Sequence, residues 1–123
     1  LSHFSTTHQC TAMEHGLPAF APFLGRPFNG REGITEYFSI IASLLTYENM
    51  CFSEYFADAE ARKVSVKGRA TFARITTNES WDETFTYVLD FDDENKVTDY
   101  QVWADTGAAY LASKGQLKKV VGA

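Results

Sequence analysis

The sequence is poor in basic charge. Its 123 residues include 11 Lys and Arg against 16 Asp and Glu, which leaves a net charge of −5. No run of Lys or Arg interleaves with the aromatic residues, and binding to nucleic-acid phosphates depends on such a basic face. Long apolar stretches are also missing, since none approaches the roughly 20 residues of a membrane span. We therefore expect no nucleic-acid partner and no membrane insertion.

Cysteine is scarce, with Cys10 and Cys51 as the two examples. A domain of this size does not need a disulfide, so we expect two buried thiols rather than a bridge. The glycine-rich phosphate loop, the serine nucleophile elbow and the paired-cysteine zinc motif are absent from the sequence. We predict no cofactor and no metal, and a cytoplasmic protein. The glycosylation sequon at Asn78 would matter only if the chain were secreted.

Aromatic residues, by contrast, are abundant. They make up 15% of the chain, with ten Phe and six Tyr. Aromatic side chains bring large apolar area with few rotatable bonds, so they suit either a bulky core or the walls of a cavity.

Apolar periodicity predicts one long helix, from an N-cap at Asn29 to about Thr46, with Glu32 completing a capping box. Apolar residues at helical spacing form the face that we expect to be buried. These residues are Ile34, Phe38, Ile41 and Leu45.

The rest of the chain has the two-residue period of strands. We predict a short strand at 9–15, and after the helix a meander of strands at 50–56, 64–72, 85–91 and 96–104. Gly68, inside the second long strand, predicts a bulge or a sharp bend. The fold class is therefore α+β. We expect a curved antiparallel sheet wrapped with a long helix into a cone enclosing an apolar pocket, a cystatin-like roll.

Two stretches carry a family resemblance. The run at 25–34, GRPFNGREGI, resembles the entry to the long helix in ketosteroid isomerase and SnoaL-like proteins. The run at 91–105, FDDENKVTDYQVWAD, resembles their final hairpin. Together they identify residues 1–123 as a single SnoaL-like domain of the nuclear transport factor two-like superfamily, with an N-terminal helix that is short or missing.

The resemblance assigns candidate catalytic residues. His15 matches the position of the isomerase base, and an imidazole can move protons at neutral pH. Tyr87 matches the position of an oxyanion-hole donor, and its phenol could polarise a carbonyl oxygen. Asp105 matches an aspartate that ends the final strand of SnoaL-like cyclases. The structural alternatives are a partly exposed His15 at a strand end, a core Tyr87, and Asp105 as a helix N-cap.

The predicted ligand is a small hydrophobic molecule. We expect aromatic side chains to contact it, namely Phe20, Phe38, Phe72, Phe85 and Trp103. The predicted function is cofactor-independent isomerisation, cyclisation or dehydration by general acid–base chemistry. The alternative is a non-catalytic ligand-binding or interaction module. In either case the resemblance implies a homodimer that pairs through the outer face of the sheet.

Overall fold

One six-stranded sheet and a long helix build the fold. The computed structural model describes residues 1–121, and the predicted α+β cone is confirmed. The elements in chain order are β1 (Thr11–His15), β2 (Phe28–Asn29), α1 (Gly30–Leu44), β3 (Leu45–Asp58), β4 (Lys63–Arg74), β5 (Ser80–Phe91), β6 (Val97–Trp103), α2 (Thr106–Ser113) and α3 (Leu117–Val121).

The sheet is mixed rather than wholly antiparallel. Its strand order is β2-β1-β6-β5-β4-β3, and β3 to β6 form the predicted meander. β1, however, lies parallel to β6, with Glu14 opposite Val102. Because α1 and four strands separate β1 from β6 in the chain, the two strands can run in the same direction without a tight turn.

The pairing of β3 is irregular at two places. Its pairing with β4 shifts register between Glu48 and Cys51 and again between Ser53 and Phe56. Asn49 and Glu54 have positive φ at these shifts, which is typical of β-bulges. Gly68 is no bulge, because β4 pairs continuously with β5 at that position. A Cβ there would overlap the ring of Phe85, so the glycine makes room for an aromatic side chain.

The buried face of α1 is rotated from the predicted one. Ile34 and Tyr37 are its most buried residues, whereas Phe38 is 36% exposed. Tyr37 packs against Phe28, with ring centroids 5.4 Å apart, so its phenol enters the core. The predicted capping box does not form, since Asn29 Oδ1 accepts a hydrogen bond from Thr11 rather than from the helix.

The acidic turn after β5 is an organised structure. Asp92 Oδ1 accepts backbone hydrogen bonds from Glu94 and Lys96, both at 2.9 Å, and Oδ2 accepts from Ser5 Oγ at 2.6 Å. The hydrogen bond from Ser5 and those from the backbone lower the pKa of Asp92 from 3.8 to about 2. The side chain therefore attaches the N-terminal segment to the turn.

On the outer face of the sheet, Trp103 at the end of β6 is 41% exposed. The homodimer through this face stays a prediction. No helix within residues 1–121 is long and apolar enough to span a membrane.

Replacing Ser5 by Ala tests the attachment at Asp92. We expect a lower urea midpoint at pH 7, because the Asp92 carboxylate loses its closest donor. A carboxyl whose pKa is lower in the folded state stabilises the fold above its unfolded pKa. The difference between wild type and variant should therefore shrink as pH falls from 3.8 towards about 2. Thr6→Ala removes an exposed neighbouring hydroxyl as the control, and an equal loss there would contradict the assignment.

Candidate functional site

A cavity of about 220 Å³ lies between α1 and the inner face of the sheet. Most of its wall is aromatic or aliphatic, with three acidic side chains among the lining residues. The lining residues are Glu14, Phe23, Leu24, Tyr37, Phe38, Ile41, Leu45, Tyr47, Met50, Phe72, Trp81, Glu83, Phe85, Tyr87, Tyr100, Val102, Ala104, Asp105, Thr106 and Ala109.

The size of the cavity limits its ligand. Pockets for drug-sized molecules are on the order of 300–1,000 Å³. The cavity is smaller than that range, so it suits a molecule of one or two rings. Its apolar wall with a few polar groups is the usual composition of a small-molecule site.

Glu14 is the polar centre of this cavity. The strand alternation of β1 places Ala12 and Glu14 on the inner face, and Glu14 is only 9% exposed. Its Oε1 accepts a hydrogen bond of 2.8 Å from the hydroxyl of Tyr37, which α1 holds in the core with 1% exposure. A helix and a strand thus fix the carboxyl from two sides.

Burial determines the proton affinity of Glu14. The loss of solvation raises the pKa of Glu14 from 4.5 to about 7, the hydrogen bond from Tyr37 opposes this rise, and the nearby Glu83 adds to it. At neutral pH the protonated and ionised forms are therefore both populated. This is the condition in which a carboxyl works best as a general acid or base.

Phenol groups surround Glu14. Burial raises the pKa of Tyr37, Tyr87 and Tyr100, so all three stay protonated at neutral pH. The rings of Tyr87 and Tyr100 lie 5.1 Å apart and those of Tyr37 and Tyr100 lie 6.0 Å apart. Protonated phenols are hydrogen-bond donors for a ligand oxygen.

Glu83 on β5 is a second buried acid in the cavity wall. It is 8% exposed, and its Oε1 accepts a hydrogen bond of 2.8 Å from the indole nitrogen of Trp81. Burial raises the pKa of Glu83, while hydrogen bonds from Trp81 and from the backbone of Asp105 oppose the rise.

Asp105 combines two positions that the sequence left as alternatives. Its Oδ1 accepts a hydrogen bond of 3.0 Å from the backbone of Ala108, so Asp105 is the N-cap of α2. It also lines the cavity while remaining exposed to solvent. It therefore lies where the cavity opens.

The structure brings together five of the eight residues that the sequence put forward. The cavity is lined by Tyr87, Asp105, Phe38, Phe72 and Phe85. Their roles in chemistry or binding stay predictions.

His15 lies elsewhere. It follows Glu14 on β1, so strand alternation directs it to the outer face. There its ring stacks on Trp103 at 4.2 Å, and Nε2 lies 2.8 Å from Gln101 Oε1. Neither His15 nor Trp103 lines the cavity, and Phe20 stacks instead on Tyr110 at 4.6 Å. The expected meeting of His15 with Tyr87 does not occur.

A metal centre has one candidate among the described residues. Ligand atoms of His8, Asp92 and Asp93 lie within 4.8 Å of one another. Both oxygens of Asp92 already accept hydrogen bonds from Ser5 and the turn backbone. We therefore assign this group to the structure of the turn.

Solved structures resemble the whole cone. A putative isomerase from Bacillus subtilis matches with a TM-score of 0.78 at 11% identity, over 93% of this chain and 78% of that one. A protein of unknown function from Burkholderia pseudomallei, described as NTF2-like (nuclear transport factor two-like), matches with a TM-score of 0.75 at 11% identity, over 90% and 79%. The chain has the NTF2-like fold.

Two solved structures named for the families that the sequence resembles also match, with lower TM-scores. A steroid delta-isomerase from Pseudomonas aeruginosa matches with a TM-score of 0.57 at 14% identity, over 92% of this chain and 72% of that one. A putative SnoaL-like polyketide cyclase from Mesorhizobium loti matches with a TM-score of 0.64 at 8% identity, over 82% of this chain and 79% of that one. The resemblance is thus confirmed at the level of fold. No protein-family model matches the chain, and no curated protein sequence is significantly similar to it.

The raised pKa of Glu14 predicts a pH-dependent stability. A carboxyl that holds its proton more tightly in the folded state destabilises the fold as pH rises above its unfolded pKa. Between pH 4.5 and about 7, the free energy of unfolding of wild type should fall by about 3 kcal/mol relative to that of Glu14→Gln. Above pH 7 the difference between the two proteins should stay constant. Gln keeps an acceptor for Tyr37 and cannot ionise.

Urea unfolding across this pH range measures the difference. Glu60→Gln, an exposed substitution of the same kind, serves as control and should follow wild type. Parallel pH curves for wild type and Glu14→Gln would mean that Glu14 has an ordinary proton affinity in the folded protein.

Proposed function

We propose that the chain binds a small, largely apolar molecule in the cavity and transfers a proton on it without a cofactor, with Glu14 as the acid–base group. The observation that supports this most directly is the buried Glu14 carboxyl. It lies in an apolar cavity, accepts a hydrogen bond of 2.8 Å from Tyr37, and has a pKa raised to about 7. Isomerisation, cyclisation and dehydration all need such a group.

The remaining polar groups have supporting roles in this proposal. Tyr87 and Tyr100 line the cavity with hydroxyls that stay protonated at neutral pH. They would donate hydrogen bonds to an oxygen on which negative charge develops as Glu14 removes a proton. The apolar wall excludes water, which strengthens these interactions. The isomerase and cyclase among the structural neighbours agree with this class of reaction but do not select one.

A nitro-substituted benzisoxazole tests the base without knowledge of the natural substrate. When Glu14 takes the proton from the ring carbon, the electrons of the C–H bond complete a nitrile. The N–O bond breaks, and its electron pair leaves on a coloured phenolate oxygen. The probe has two fused rings, which is the size that the cavity suits. Absorbance of the phenolate gives the rate.

We expect wild type to catalyse this ring opening with a rate that rises with pH and has its midpoint at about 7. Glu14→Gln should be slower by about 100-fold or more. Glu60→Gln, on the surface, should retain the wild-type rate. A Glu14→Gln variant as active as wild type would refute the proposed base. A cavity that binds the probe without accelerating its reaction would support the passive binding module instead.

Tyr37→Phe tests the partner of Glu14. Because the hydrogen bond from Tyr37 lowers the pKa of Glu14, its removal should raise that pKa further. The midpoint of the pH–rate profile for the same probe should then move to higher pH, while the rate at high pH stays within a few fold of wild type. Tyr55→Phe removes an exposed hydroxyl on β3 as the matched control. An unchanged midpoint in Tyr37→Phe would show that the hydroxyl does not act on Glu14.

A further inference from the structure

The charged side chains of the cavity all have the same sign. Glu14, Glu83 and Asp105 line it, and none of its lining residues, as described within 1–121, is Lys, Arg or His. Arg74 follows Phe72 on β4 but is not among the lining residues. An anionic ligand would lose its hydration here, gain no cationic partner and face like charges.

The three acids of the cavity have different partners. Glu14 pairs across the sheet with Val102, which pairs with Tyr87, so these three residues form one row. Glu83 lies on the same face of β5 four positions before Tyr87, which is about 13 Å along the strand. Asp105, whose backbone donates to Glu83, is exposed at the opening. Glu83 is as buried as Glu14, but its carboxyl accepts from the backbone of Asp105 at the opening, whereas Glu14 accepts from Tyr37.

Aromatic rings lie beside Glu83. Trp81 lines the cavity next to Glu83 and holds its carboxyl through the indole nitrogen at 2.8 Å. The ring of Trp81 stacks with that of Phe72 at 6.0 Å. Indole and phenyl faces attract cations, and the attraction increases when water is excluded. Carboxyl groups beside aromatic faces are the chemistry that recognises a protonated amine.

We propose that the ligand is a small ring-containing amine, bound as its ammonium ion. The charge lies beside Glu83, Asp105 and Trp81, and the uncharged ring system extends towards Glu14. This inference rests on the proposed function, because Glu14 then acts on the ring end of the same molecule. Glu83 and Asp105 thus determine which molecules bind, and Glu14 performs the chemistry.

Three probes of equal size and different charge test the proposal: phenylpropylamine, phenylpropanol and phenylpropanoate. Calorimetric titration at pH 7.5 gives the affinity of each for the full chain. We expect the amine to bind about tenfold or more tightly than the alcohol, and the carboxylate to bind most weakly. Equal or tighter binding of the alcohol would overturn the proposal, and so would the failure of all three probes to bind.

Two variants locate the charge. Glu83→Gln keeps an acceptor for Trp81, and Asp105→Asn keeps an N-cap acceptor for α2. Each variant should weaken binding of the amine several fold and leave binding of the alcohol unchanged. Glu60→Gln should change none of the affinities. An amine preference that survives in the double variant would overturn the proposal.

The benzisoxazole reaction separates the two proposals. If it depends on Glu14 while the alcohol binds as well as the amine, the proposed function stands and the inference about charge fails. If the amine preference is found but the reaction does not depend on Glu14, the cavity binds amines without the proposed chemistry.

Discussion

The structure depends on one buried hydrogen bond, from the Tyr37 hydroxyl to the Glu14 carboxyl. Transferring a carboxyl group from water to an apolar interior costs several kcal/mol of free energy unless the group gains hydrogen-bond partners or keeps its proton. Here it does both in part: Tyr37 donates to it, and its pKa rises to about 7. The contact joins the first strand to the long helix. It therefore determines both the packing of α1 and the polar centre of the cavity.

The other elements shape the space around this contact. The bulged strand β3 contributes Tyr47 and Met50 to the cavity wall, and Gly68 leaves room for the Phe85 ring that forms another part of it. α2 starts at the mouth, with Asp105 as its cap. The fold thus supplies a small apolar chamber whose polar groups are held by secondary structure rather than by mobile loops.

Periodicity predicted the helix and the meander but not the whole strand order or the orientation of every side chain. These elements followed from apolar repeats at 3.6 and two residues, and the cone was inferred from them with a bend at Gly68. The parallel pairing of β1 with β6 did not, because strand order depends on long-range packing that no local pattern encodes. A bulge or bend was expected at Gly68, whereas the bulges lie on β3 at Asn49 and Glu54. Asn is enriched at positive φ, but Glu is not, so the second bulge had no local signal.

The residues of the candidate site were predicted less well than the fold. The resemblance directed attention to His15, one residue from the group that enters the cavity. Ala12, fully buried, has the same parity as Glu14, so alternation along β1 could have identified the inward acid. Tyr37 lies three residues after Ile34, on its helical face. Glu83 and Trp81 gave no signal, since an acid and an aromatic residue in a half-buried strand are ordinary.

The parallel pairing of β1 has a consequence for how the protein forms. Its partner β6 is the last strand in chain order, so most of the chain separates the two. Contacts of such long range form late, because the intervening chain must first be brought together. On the ribosome, β1 emerges first and then waits for β6 to be synthesised. Until that strand arrives, β1 has β2 and α1 as neighbours but lacks its longest strand pairing. The chamber thus becomes complete only when the beginning and the end of the sheet meet.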